Sequence, residues 1–197
     1  MSQWLQDTEL SSQLVKLMPL KPEHRNDLIK AATDGKLWEL WFTSVPNEES
    51  IDNYIAFALD EKNKKRSLPF VIVEQSTNTI IGSTRYCNTI NDNRLEIGYT
   101  WYAKSYQRTA VNTQCKYLLL QYAFEQLNCI AVEFRTNWHN HASRTAIARL
   151  GAKQDGVLRN HIIAADGELR DTVVFSIIRD EWQAVKKSLK FILNKHI

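Results

Sequence analysis

Glu96-Ile97-Gly98-Tyr99-Thr100-Trp101, then Tyr106-Gln107-Arg108-Thr109-Ala110-Val111-Asn112-Thr113, then the run on through Phe124 decide how this chain is built. The β-rich opening gives way to Leu118, Leu119, Tyr122 and Ala123 at helical spacing, which predicts strand, loop and helix. Asn112 or Thr113 is the expected helix cap. No acidic residue stands between Glu96 and Glu125, whereas Lys104, Arg108 and Lys116 do. A helix start usually recruits its own Asp or Glu, because its first amides are unpaired and the macrodipole is positive there. An acid-free basic loop at such a start suits an external anion such as a pyrophosphate. A solvated basic loop satisfies the same pattern.

Leu95, Ile97 and Tyr99 alternate with Glu96, Gly98 and Thr100, so Glu96 is expected to share a strand face with Gly98 and Thr100, turned toward substrate. Downstream, 130–136 reads as a strand, making a strand-helix-strand unit with a parallel pair and a right-handed crossover. Upstream, 70–73 and 79–86 read as a hairpin, and Asn91-Asp92-Asn93 as the next turn. A strand over 14–18 ends at Pro19, and Pro22 opens a helix toward Gly35. Asn47-Glu48-Glu49 caps a second helix through Leu59. A short helix over 140–150 ends at Gly151, the stretches 157–164 and 172–178 form a hairpin across Asp166-Gly167, and Trp182, Val185, Leu189 and Ile192 mark a closing amphipathic helix. Residues 1–12 are polar, without periodicity. The expected fold is α/β, a mixed sheet with helices on both sides.

The 197 residues suffice for one domain with a sizeable core. A net charge of +3 with scattered basic residues gives no nucleic-acid footprint. Cys87, Cys115 and Cys129 have no Cys-x-x-Cys spacing, which argues against zinc or a disulfide framework and for a reducing cytoplasm. His139 and His141 lack a third ligand at metal spacing, so no metal is expected. No segment approaches a membrane span, and no Gly-x-Ser-x-Gly elbow supports a hydrolase.

Gln107-Arg108-Thr109-Ala110-Val111-Asn112 resembles the Gln/Arg-x-x-Gly-x-Gly/Ala acyl-CoA signature of the GCN5-related N-acetyltransferases (GNAT), with Ala110 and Asn112 where small glycine-type residues are usual. Asn140-His141-Ala142-Ser143 and Leu150-Gly151-Ala152 are similar to segments of the RimJ/RimL-like branch, as are Arg170-Asp171-Thr172 and Glu181-Trp182. The resemblance implies a mostly antiparallel sheet with one splayed parallel pair, acetyl-CoA as cofactor, and a primary amine, either a protein N-terminus or a small molecule, as acceptor. It implies cofactor contacts from the strand edge Thr100-Trp101-Tyr102, from Gln107, Arg108, Thr109, Ala110, Val111, Asn112 and Thr113, and from Asn140. The tyrosine that many relatives use as general acid is replaced by Ile147, and the branch places a serine where Ser143 stands.

Acetyl transfer needs a deprotonated amine and a proton for the departing thiolate. Glu96 is the candidate base and Ser143 the candidate donor or water positioner. Trp38 and Trp41 line an acceptor wall or fill core, and Arg85 and Asp171 are candidate acceptor contacts, with Arg170 and Arg179 as alternative partners for Asp171. Neither Cys87 nor Cys129 has the electropositive setting of a nucleophile. A homodimer stays open, and a non-catalytic acyl-CoA-binding module or interaction protein is the alternative function.

Overall fold

Phe70-Val71-Ile72-Val73 sends alternate side chains to opposite faces of a sheet, Phe70 and Ile72 into one core cluster and Val71 and Val73 into another. A strand buried on both sides needs helices above and below it. A computed structural model describing residues 4–90, 93–164 and 166–195 supplies them. The elements are β1 (Leu10–Ser11), β2 (Val15–Pro19), α1 (Arg25–Thr33), α2 (Ile51–Asn63), β3 (Leu68–Glu74), β4 (Thr79–Ile90), β5 (Arg94–Tyr102), α3 (Ala110–Glu125), β6 (Ala131–Asn137), α4 (His141–Arg149), β7 (Lys153–Ile163), β8 (Leu169–Ile178) and α5 (Trp182–Asn194). Eight strands form one sheet in the order β1-β2-β3-β4-β5-β6-β8-β7, and β5-β6 is its parallel pair.

Helices α3 and α5 cover one face, burying Val111, Cys115, Leu119, Trp182 and Leu189 with Phe70, Ile97 and Phe134. Helices α1 and α2 cover the other through Leu28, Ala32, Ile51 and Ile55. Asn47 forms a turn ahead of α2, its Oδ1 accepting from the Ser50 amide at 3.0 Å, so that helix starts at Ile51. The N-terminal stretch adds the short strand β1 and a buried Leu5, and Trp4 donates through Nε1 to the Leu127 carbonyl at 3.0 Å. The turn expected at Asn91-Asp92-Asn93 lies, except for Asn93, outside the described residues.

Two irregularities shape the middle of the sheet. The β5-β6 ladder pairs Arg94, Leu95 and Glu96 with Ala131, Val132 and Glu133, and runs no further. Beyond it the strands diverge, with β5 still held by β4 and β6 by β8. The β4-β5 register also shifts: Arg85 faces Gly98 but Ser83 faces Trp101, so Thr84 opposes two residues. This is a β-bulge, with Tyr99 in left-handed backbone at φ 51°.

The bulge corrects the expected strand face. Strict alternation would put Thr100 beside Glu96. The extra residue rotates Thr100 toward α3 instead, where its hydroxyl meets that of Thr84 at 2.8 Å, while Tyr99 turns toward α2 and packs near Phe57.

Gly82 marks how closely β4 and β5 approach, since a Cβ there would fall 2.2 Å from the Trp101 carbonyl oxygen. Gly82→Ala should therefore cost about 1–3 kcal/mol of stability in urea denaturation. A cost within error of zero would mean the strands can part locally.

Candidate active site

The fork opens directly beyond Glu96 and Glu133, which face each other across the parallel pair. Arg94 donates through Nη2 to Glu133 at 2.9 Å, Arg135 donates through Nε to the same carboxylate, and Arg135 stands 3.6 Å from Glu96. Glu96 is 7% exposed and accepts from Asn88 Nδ2 at 2.6 Å. Burial raises its carboxyl above the ordinary value, against the lowering effect of the Asn88 hydrogen bond and of Arg135. A methyl on Gly98 would lie 2.9 Å from Glu96 Oε1 and 3.0 Å from Cys87 Sγ, so glycine leaves the carboxylate its place.

At the far end of β5 the chain turns through Lys104–Tyr106 into α3. Thr109, rather than Asn112 or Thr113, caps the helix, its hydroxyl accepting from the Val111 amide at 3.3 Å. Asn112 folds back and accepts from the Tyr102 hydroxyl at 3.1 Å, which is how this position tolerates more than glycine. Left-handed backbone falls on Arg108, at φ 62°, so Ala110 has no need of glycine's freedom. Gln107 donates to the Tyr102 carbonyl at 3.0 Å and Thr113 accepts from Arg149 at 3.3 Å.

Among the described residues, the amides of Arg108, Thr109, Ala110 and Asn112 find no protein acceptor. Arg108 and Thr109 are exposed. Asp34 does send a carboxylate to this loop, but to its opposite end, where it accepts from the Ser105 amide at 2.9 Å and hydroxyl at 2.6 Å. An open turn of donors at a helix start fits a diphosphate. The β5 edge past Glu96, unpaired on its β6 side, offers backbone groups to an extended amide-bearing chain.

Residues 15–153 match the family model of the acetyltransferase (GNAT) domain. The chain belongs to this family. It is 31% identical over 93 residues to a Bacillus subtilis protein named "Putative ribosomal N-acetyltransferase YdaF", an alignment covering 47% of this chain and 50% of that one. The chain thus spans about half the length of that curated relative. Its fold is similar to a GCN5-related N-acetyltransferase from Brucella melitensis, with TM-score 0.85, 22% identity, and 96% and 86% of the two chains covered. It is also similar to Mycobacterium smegmatis RimJ in complex with CoA-disulfide, with TM-score 0.76, 21% identity, and 94% and 93% covered. No helix among the described residues is long and apolar enough to cross a membrane.

Within this GNAT fold the remaining expected site residues separate. Asn140 caps α4 by accepting from the Ser143 amide at 3.0 Å, which puts Ser143 in the first turn after β6. The Ser143 hydroxyl is half-buried and has no hydrogen-bond partner among the described residues. Trp101 is core, its Nε1 donating to the Tyr54 hydroxyl at 3.3 Å. Trp38 packs against the α1/α2 core, whereas Trp41 is 66% exposed, with His139 of the turn between β6 and α4 at 5.5 Å.

Asp171 is held within the sheet. It commits one oxygen to Arg159 and the other to the Asn160 amide at 2.8 Å, inside the β7-β8 hairpin, and neither Arg170 nor Arg179 holds it. Its carboxylate is spent on structure. Cys115 and Cys129 are buried, with thiols pushed up to about 12 by burial, which suits inert core residues.

Lys116 carries more than its sequence position suggested. It is 4% exposed, and its Nζ donates to Thr100 Oγ1 at 2.6 Å and lies 5.9 Å from the Phe134 ring, bridging the two arms of the fork from the α3 side. Burial pushes its ammonium down to about 7, opposed by the neighbouring Cys115, Cys87 and Glu96.

Between about pH 7 and the unfolded value of 10.5, the unfolded chain holds a proton at this site that the folded one has lost. Unfolding free energy should therefore rise with pH across that window, by on the order of a few kcal/mol, with the full cost of burying the ammonium felt below it. Urea denaturation at several pH values should find this slope in the parent and a flatter one in Lys116→Met; identical slopes would locate the titration elsewhere.

Proposed function

We propose that this GNAT protein moves an acetyl group from acetyl-CoA to a primary amine in a ternary complex, as one domain acting in the cytoplasm. The observation that carries this reading is the pairing of an open, acid-free donor turn at α3 with a sheet that forks beside a buried carboxylate. Coenzyme A, when bound, supplies the acyl group as an activated thioester.

The Arg108–Asn112 turn holds the diphosphate through backbone amides, aided by the Arg108 charge. The β5 edge from Thr100 to Tyr102 holds the pantetheine amides, and the Asn140 side-chain Nδ2, without a partner among the described residues, adds a donor on the β6 side. Glu96 takes the ammonium proton of the acceptor, directly or through water. Burial suits it to this work, because a carboxyl raised from its ordinary value is a better proton acceptor near neutrality. Ser143 orders a water or relays a proton to the departing thiolate, since its hydroxyl both donates and accepts. Holding both reactants in the fork contributes most, up to about 7–11 kcal/mol by effective-molarity arguments.

The similarity to proteins named for ribosomal N-acetylation supports a protein N-terminus or a small amine as acceptor. Trp41, exposed against the turn that starts α4, belongs to the acceptor side.

Calorimetric titration with acetyl-CoA, followed by free-thiol release over an amine library, tests this reading. Tight binding without thiol release from any amine would leave only a binding module. Glu96→Gln should lower turnover by about 10²–10⁴-fold while leaving the acetyl-CoA dissociation constant near that of the parent. Arg108→Glu should do the reverse, raising that constant about tenfold or more through charge reversal beside a diphosphate. An unchanged constant in Arg108→Glu would remove the diphosphate from this turn.

A further inference from the structure

Arg85 is 1% exposed, yet no carboxylate pairs with it among the described residues. Its guanidinium is stacked between two rings, 4.4 Å from the Tyr54 centroid and 4.2 Å from that of Tyr99, the residue the bulge turned to this face. Its single hydrogen bond, from Nη2 to the Tyr54 carbonyl, is long at 3.4 Å. Nε is buried with no partner, and Nη1 finds no acceptor among the described residues. Of the ionisable acids on the same strand, the Cys87 thiol and the Tyr86 hydroxyl are both driven up by burial, and Tyr86 points to the other face, where it donates to the Leu119 carbonyl.

An uncompensated buried cation is costly, and deleting or pairing it is the usual remedy. This one is instead fixed in orientation by aromatic rings and borders a recess of about 90 Å³, whose wall also includes Glu61, Ser67, Asn88 and Tyr99. That volume admits a small planar group or a few waters.

We infer that this recess is a carboxylate-recognition site, and that the acceptor is a small amine carrying a carboxylate a few bonds from its nitrogen, as an amino acid does. The inference rests on the acetyl-transfer reading above and names its substrate class. A guanidinium fork held flat matches the two coplanar oxygens of a carboxylate. One cation with Glu61 in the same wall favours a monoanion over a phosphate. Position supports the amine end: Arg85 pairs with Gly98, so Glu96, two residues along β5, is its diagonal neighbour on the same face, roughly 7–8 Å away along the backbone. Asn88 joins the two, lining the recess while donating to Glu96. A carboxylate on Arg85 thus directs the rest of a short molecule toward the base.

The test needs no turnover. Binding of N-acetyl amino acids to the coenzyme-free protein is compared by calorimetry with binding of their carboxamides, which differ only in the anion. The parent should bind the acids about tenfold or more tightly, and Arg85→Met, shown folded by circular dichroism, should lose that preference. Equal affinity for acid and amide in the parent overturns the proposal even if the variant does not fold, and so does a preference that survives in a folded Arg85→Met. In the coupled thiol assay, amino acids should outpace their amides and outpace peptides without acidic side chains. A faster reaction with such peptides would overturn the substrate class and leave acetyl transfer standing, whereas silence with every amine would sink the reaction and leave the binding comparison to decide the recess.

Discussion

The parallel ladder between β5 and β6 ends where Glu96 meets Glu133, and the fork in the sheet follows from that ending. Two like charges opposite one another resist further pairing on that face, and Arg94 and Arg135 hold them without drawing the strands together beyond them. Each strand keeps its outer neighbour, so the gap costs little of the sheet. What remains is a wedge with unpaired backbone on one side and a carboxylate at its apex. The helix that bridges the parallel strands starts at the open end, bringing its unfilled amides to the same mouth.

Around that wedge the protein buries charge without balancing it locally. Lys116 enters from the α3 side on one hydroxyl, and Arg85 lies under two aromatic rings on the other. Structures keep such groups only where the surrounding packing is strong enough to bear them. Here two extensive apolar clusters, one on each face of the sheet, provide it. The two faces thereby carry one buried cation each, Lys116 reaching Thr100 from α3 and Arg85 lying against Tyr54 of α2 and Tyr99 of β5.

Much of this was legible in the chain. The β-rich run at 70–73, the alternation through 95–97 and the helical spacing of Leu118, Leu119, Tyr122 and Ala123 gave the order of strands and helix in the middle of the sheet. The bulge at Tyr99 was not legible, because alternation is the only strand rule a sequence displays and a tyrosine in left-handed backbone carries no signature. Missing it put Thr100 on the wrong face and hid its partner Lys116. The same limit affected Asp171, whose hold on Arg159 and Asn160 depends on how two strands of a hairpin register rather than on its own neighbours in sequence. The helix cap fell on Thr109 because the turn tightens earlier than the polar residues further on suggest.

The Asp34 carboxylate, gripping Ser105 from the end of α1, fastens the first helix to the loop that leads into α3. Gly35 lets the chain pass close against Lys104 at the same point, with left-handed backbone at φ 89°. Residues 36–50, which carry Trp41, hang directly from this fastening. Under the proposed function, acceptor selectivity and coenzyme grip are therefore inherited together: a lineage that remodels this segment must also keep or rebuild the fastening of Asp34 to Ser105.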